Sequence, residues 1–106
     1  MKIALAATGP DPSADLSAHA ARAPYYLVYS EDGTFVGGIA NPAAELVRGA
    51  APTAARFLFD QGVDMLVAGD FGSKFISELN AHGIDDVQSG GSIARVLNTV
   101  VRRVKL

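Results

Sequence analysis

Lys2-Ile3-Ala4-Leu5-Ala6-Ala7 is an unbroken apolar run behind a single lysine. A strand that is wet on one face alternates apolar and polar residues, whereas a run without alternation is covered on both faces, as in the central strand of a layered sheet. Val63–Ala68 has the same character, with Asp64 near its start. Two such strands call for helices on both sides of a sheet, and the segments between and after them supply those helices.

Working outward, Thr8-Gly9-Pro10-Asp11-Pro12-Ser13 breaks the first strand and opens a loop that runs to Ala23. Tyr25–Ser30 reads as a second strand and Phe35–Ala40 as a third, at the sheet edge. Glu31-Asp32-Gly33-Thr34 joins them, with Asp-Gly expected at the positive-φ positions of a hairpin. Asn41–Ala51 is a second loop. Pro52 stands in the first turn of a helix whose apolar face is expected to carry Ala55, Leu58, Phe59 and Gly62. After the strand Val63–Ala68, Gly69-Asp70-Phe71-Gly72-Ser73-Lys74 turns into a second helix with Phe75, Ile76 and Leu79 inward and Gly83 beyond its end. Ile84–Gln88 is a short strand. Gly90-Gly91-Ser92 leads into a last helix with Ser92 as N-cap, an apolar stripe of Ile93, Val96, Leu97, Val100, Val101 and Val104, and Arg95, Arg102 and Arg103 on its outer face.

The order β-β-β-α-β-α-β-α predicts a three-layer α/β/α architecture around a five-stranded mixed sheet, which is an RNase H-like topology. Right-handed crossovers place the fourth strand beside the first and parallel to it. The loops after strands one and four and the Gly90-Gly91 turn then meet at the carboxyl edge of the sheet, where open α/β folds bind ligands.

Composition narrows the function. The chain has 106 residues, a formal net charge of -2 and no cysteine. One domain spanning residues 1–106 is expected. The charge argues against a protein that coats nucleic acid. Without cysteine there are no disulfides, thiolate nucleophiles or protein-thiolate cluster ligands. No stretch approaches the roughly 20 apolar residues that cross a bilayer. The Met1–Pro10 segment reads as a strand rather than a secretion signal, so a soluble, cytoplasmic protein is expected.

Several chemistries can be tested against the residues. Two-metal nuclease chemistry needs clustered carboxylates, typically with one inside the first strand, and Lys2–Ala7 holds none. Ser13, Asp15, Ser17 and His19 show no spacing that sets a base on a nucleophile. His82 stands at a helix end, where the dipole favours a cation. Gly69-x-x-Gly72-x-Lys74 opens a helix and offers backbone N–H groups to an anion, but it is neither a P-loop nor a dinucleotide fingerprint. Its glycines serve a tight turn equally well. The stretch Ser17-Ala18-His19-Ala20-Ala21-Arg22-Ala23-Pro24-Tyr25 presents one imidazole and one guanidinium beside a rigid strand, which suits an anion or a metal species.

Four pieces stand in a definite order: His19-Ala20-Ala21-Arg22-Ala23 before an aromatic strand, Asn41-Pro42 with Gly49, Gly62-Val63-Asp64 through Lys74, and Gly90-Gly91-Ser92. Together they resemble the dinitrogenase iron-molybdenum cofactor biosynthesis family, with its small NifX- and NafY-type domains and orange-protein relatives. Ala20-Ala21 departs from the Phe-Gly usual in that family. The resemblance implies an RNase H-like fold, no catalysis, and carriage of a preformed metal–sulfur cluster containing molybdenum with iron or copper, held non-covalently or through a single histidine. His19 would be the metal ligand, Arg22 and Lys74 would supply charge, and the backbones of Gly69, Gly72, Gly90 and Gly91 would close the floor. A cluster-donating or cluster-accepting protein is the implied partner, with no nucleic acid and no membrane. Two other classes stand beside this one: an interaction module docking through the basic last helix, and a small-anion or nucleotide sensor at the Gly72 helix start.

Overall fold

The computed structural model describes residues 1–105, with side chains described through Arg102. The elements are β1 (Lys2–Ala7), β2 (Tyr25–Ser30), β3 (Phe35–Ala40), α1 (Ala50–Asp60), β4 (Met65–Ala68), α2 (Ser73–Ala81), β5 (Asp85–Gln88) and α3 (Ile93–Lys105). They form a five-stranded sheet in the order β3-β2-β1-β4-β5. β2 is antiparallel to β1 and β3, while β4 is parallel to β1 and β5. The mixed sheet, its edge strand β3 and the seating of β4 beside β1 all follow the sequence expectation.

β1 shows why an apolar run becomes a central strand. Ile3 to Ala7 are entirely buried, and alternate residues enter different cores. Ala4 and Ala6 face α1 and α2, where Leu58, Phe75 and Leu79 close over them. Ile3, Leu5 and Ala7 face α3 and pack with Ile93, Val96 and Val100. Alanines supply part of the first side (Ala4 and Ala6 from the sheet, Ala54 and Ala55 from α1). Large residues on the second side fill the space under a single helix. Each fully buried Ile or Leu stabilises by about 1.5–3 kcal/mol.

Local details differ from the sequence reading for identifiable reasons. β4 and β5 begin later than Val63 and Ile84 because those residues close the preceding helices. Val63 N–H bonds back to the Leu58 carbonyl and Ile84 N–H to that of Leu79, each after a left-handed glycine, Gly62 or Gly83. That six-to-one bond is the Schellman closure of a helix, and it holds the residue off the sheet. Phe59 does not join the buried face of α1. Ala54, Ala55 and Leu58 do, and Phe59 is half exposed with its ring 5.3 Å from that of His82. The β2–β3 turn uses positive φ only at Gly33, with Gly33 N–H on the Ser30 carbonyl and Ser30 N–H on that of Thr34. It is a three-residue connection with one left-handed glycine, not the two-residue form in which both central residues are left-handed. α1 starts at Ala50, so Pro52 is its third residue. Ser92 Oγ accepts from Arg95 N–H at 3.3 Å, as an N-cap should. Arg95 and Arg102 are exposed, while the side chains of Arg103 and Val104 lie outside the described residues. Among the described residues no helix is long and apolar enough to cross a membrane.

Candidate functional site

β1, β4 and β5 are parallel, so their carboxyl ends share one edge of the sheet. The segment after β1 folds back across that edge and is fastened there by its backbone. Ser17 N–H donates to the Ala6 carbonyl at 2.7 Å, and Gly69 N–H donates to the Ser17 carbonyl at 2.8 Å. Ser17 thus bridges the ends of β1 and β4, and it is buried. Its hydroxyl accepts from His19 N–H at 3.1 Å, which turns the chain outward at the histidine. Gly69 is required by this closure. A Cβ there would lie 3.1 Å from Ala18 Cα and 3.2 Å from the Ser17 carbonyl oxygen, both backbone atoms that cannot swing aside.

The far side of the loop is held by a buried polar network. Asn41 Nδ2 lies 2.9 Å from the carbonyls of Ala21 and Ala23 and 3.2 Å from Tyr26 Oη. Tyr26 donates its hydroxyl to the Ala20 carbonyl at 2.6 Å, and Asn41 Oδ1 accepts from Ala43 N–H at 2.9 Å. Burial pushes the Tyr26 phenol well above its usual pKa, which keeps it a donor. Three carbonyls of the loop backbone, those of Ala20, Ala21 and Ala23, are thereby tied to β2 and to the loop after β3. Asn41 and Tyr26 thus position the loop. Their sequence signal was the Asn41-Pro42 pair and an aromatic strand, neither of which shows by itself that the two side chains meet.

Between these anchors lies a cleft of about 190 Å³ lined by residues 18–22, Asp70 and Gly72. It brings together His19, Arg22 and Gly72 of the residues singled out from sequence. Gly69 sits beneath the loop rather than in the lining. Lys74, Gly90 and Gly91 do not line the cleft, although Lys74 is exposed in the first turn of α2. Gly91 has φ +106 and serves the turn into α3. Gly72 is different: it has φ -74 and nothing within 4 Å of a Cβ, so neither conformation nor packing requires glycine. It precedes α2 without a side-chain bond, so no capping side chain covers the first-turn N–H groups of that helix. Arg22 donates Nη1 to the Leu46 carbonyl and keeps its other N–H groups. Asp70 is the residue sequence reasoning passed over. Its carboxylate accepts from Phe71 N–H at 2.9 Å and makes no ion pair among the described residues.

The profile of the family described as "Dinitrogenase iron-molybdenum cofactor" matches residues 1–103. The chain belongs to the dinitrogenase iron-molybdenum cofactor family. No curated protein matches it. Among solved structures, the apo form of the orange protein from Desulfovibrio gigas is similar with a TM-score of 0.87 and 25% identity, covering 97% of this chain and 88% of that one. A putative NifB protein from Thermotoga is similar with a TM-score of 0.79 and 25% identity, over 95% and 87% of the two chains. Both solved structures share the α/β fold described above.

Proposed function

We propose that this chain, acting as one unit over residues 1–106, is a non-catalytic cytoplasmic carrier of a preformed metal–sulfur cluster containing molybdenum, with iron or copper. The observation that carries the reading is the meeting of His19, Arg22 and the uncapped start of α2 on one cleft, in a family described by that cofactor. A cluster that already owns its sulfides needs no cysteine from the protein. It needs N–H donors for its sulfides and, at most, one nitrogen for a metal. Arg22 and the amides after Gly72 are such donors, and His19 is such a nitrogen.

Lys74 contributes long-range charge from the first turn of α2 rather than contact. Gly69, Gly90 and Gly91 shape the surrounding turns. A protein that donates or accepts the cluster is the natural partner of a carrier, and Val47, 90% exposed on the loop that Arg22 holds, offers it an apolar contact beside the cleft.

Anaerobic titration of the cluster-free protein tests the reading. Tetrathiomolybdate, its iron and copper adducts, and isolated iron-molybdenum cofactor are offered separately, and metal retained after desalting is measured. Stoichiometric retention, reduced in His19→Ala and in Arg22→Ala, is expected. Retention of none of them would leave an interaction module in its place.

A further inference from the structure

The wall of the cleft is not uniformly cationic. Its lining residues include one that bears a guanidinium, one an imidazole and one a carboxylate: Arg22, His19 and Asp70. All three are exposed, and none forms an ion pair among the described residues. The fold makes little use of the Asp70 side chain. Its bond to Phe71 N–H is local, and asparagine would make it equally well.

A carboxylate is a poor neighbour for an all-sulfide anion. Its lone pairs would face sulfide lone pairs, and like charges repel. Toward a metal corner the same group is a ligand. Imidazole and carboxylate together suit a borderline or hard divalent ion such as iron(II), whereas soft copper(I) takes the imidazole and gains little from the carboxylate.

We infer that Asp70 and His19 form a two-donor edge for a divalent metal at an open corner of the cargo, so that the cleft selects an iron-bearing molybdenum sulfide over a bare thiomolybdate anion. This rests on the carrier reading above. Arg22 and the amides after Gly72 then hold the sulfide side of the same cargo. Binding is ligand exchange: iron(II) sheds two water or halide ligands, takes the His19 nitrogen and an Asp70 oxygen, and changes no oxidation state.

The test compares three probes: tetrathiomolybdate, the same anion carrying one equivalent of iron(II), and the same anion carrying one equivalent of copper(I). Each is titrated anaerobically into the wild type, Asp70→Asn and His19→Ala, with binding read by equilibrium dialysis and the iron environment by Mössbauer spectroscopy. The wild type should bind the iron adduct about tenfold or more tighter than the bare anion. Asp70→Asn should remove most of that preference, by weakening the iron adduct and strengthening the bare anion. The copper adduct should respond to His19→Ala and hardly to Asp70→Asn. The Mössbauer parameters of bound iron should change in both variants. An unchanged preference and unchanged iron spectrum in Asp70→Asn overturn this inference while leaving the carrier standing. Retention of no probe by the wild type removes both. Because asparagine preserves the Phe71 bond, an unaltered circular dichroism spectrum is expected and separates a binding effect from misfolding.

Discussion

Asn41→Ala should be among the most damaging single substitutions outside the hydrophobic core. The buried amide holds the Ala21 and Ala23 carbonyls at 2.9 Å and the Tyr26 hydroxyl at 3.2 Å, and it accepts from Ala43 N–H at 2.9 Å. Its two N–H protons are shared among three acceptors, so roughly three net bonds are lost at about 1 kcal/mol each. Ala43 is fully buried, so its N–H has no water to turn to, and stranding such a group adds about 1 kcal/mol or more. The total, about 3–4 kcal/mol, is a large part of the roughly 5–15 kcal/mol that holds a domain together.

In urea, with a slope of about 1.5 kcal/mol/M, the midpoint should fall by about 2 M at unchanged slope. Tyr26→Phe should cost about 1 kcal/mol, and the double variant less than the sum, because the two residues share a bond. Amide exchange should quicken at Ala20–Ala23 before it does in β1, since the network ties loop rather than sheet. A midpoint shift below about 0.5 M would refute the reasoning, because it would mean that the loop holds its shape without the amide.

Four further outcomes follow from other residues. Gly72→Leu, at a position with room for a side chain and ordinary φ, should change stability by about 1 kcal/mol or less while sharply reducing cargo retention, since it covers the start of α2. Gly38→Ala should destabilise by about 1–3 kcal/mol in denaturant, because its Cβ would sit 2.0 Å from the Pro10 carbonyl oxygen and the post-β1 loop must move. Tyr29→Phe should raise the thermal midpoint, since the Tyr29 hydroxyl is buried without a partner among the described residues and its removal relieves a desolvation cost of about 1 kcal/mol. Asp11 should titrate below its ordinary 3.8 by NMR, because the Ser13 hydroxyl and N–H both donate to its carboxylate. Its folded-state pKa is depressed, so the stability it lends is present above about 3.9 and is lost as pH falls through the lowered value; Ser13→Ala, which removes the hydroxyl and keeps the N–H, should weaken that acid-side dependence without abolishing it.

The architecture was legible because it rests on one-dimensional signals. An apolar run that alternates into two cores, as at Ile3–Ala7, needs only its own residues to announce a central strand. Right-handed crossovers then leave β4 little choice but the place beside β1. The errors came where a side chain's fate depends on a neighbour far along the chain. Phe59 has the spacing of a core residue, yet its ring lies against His82, an arrangement created by the contact between α1 and α2.

The candidate site was half legible for the same reason. His19 and Arg22 lie three residues apart on one loop, so any fold that exposes the loop presents both. Gly72 and Asp70 reach the cleft only because Ser17 lashes that loop across the end of β4, a long-range bond with no local sequence pattern. The four marked glycines show how a motif mixes causes. Gly69 is demanded by the Ala18 and Ser17 backbone and Gly91 by its positive φ, whereas Gly90 and Gly72 meet neither demand. Of those two, only Gly72 lines the cleft. A glycine that the fold does not require, placed where a side chain would cover open N–H groups, is better explained by what binds there than by what folds there. Asp70 meets the same criterion from the opposite sign of charge, being dispensable to the fold and placed where an anion would be repelled. On the inference drawn above, that carboxylate would meet a metal face of the cargo while Arg22 meets the sulfide face.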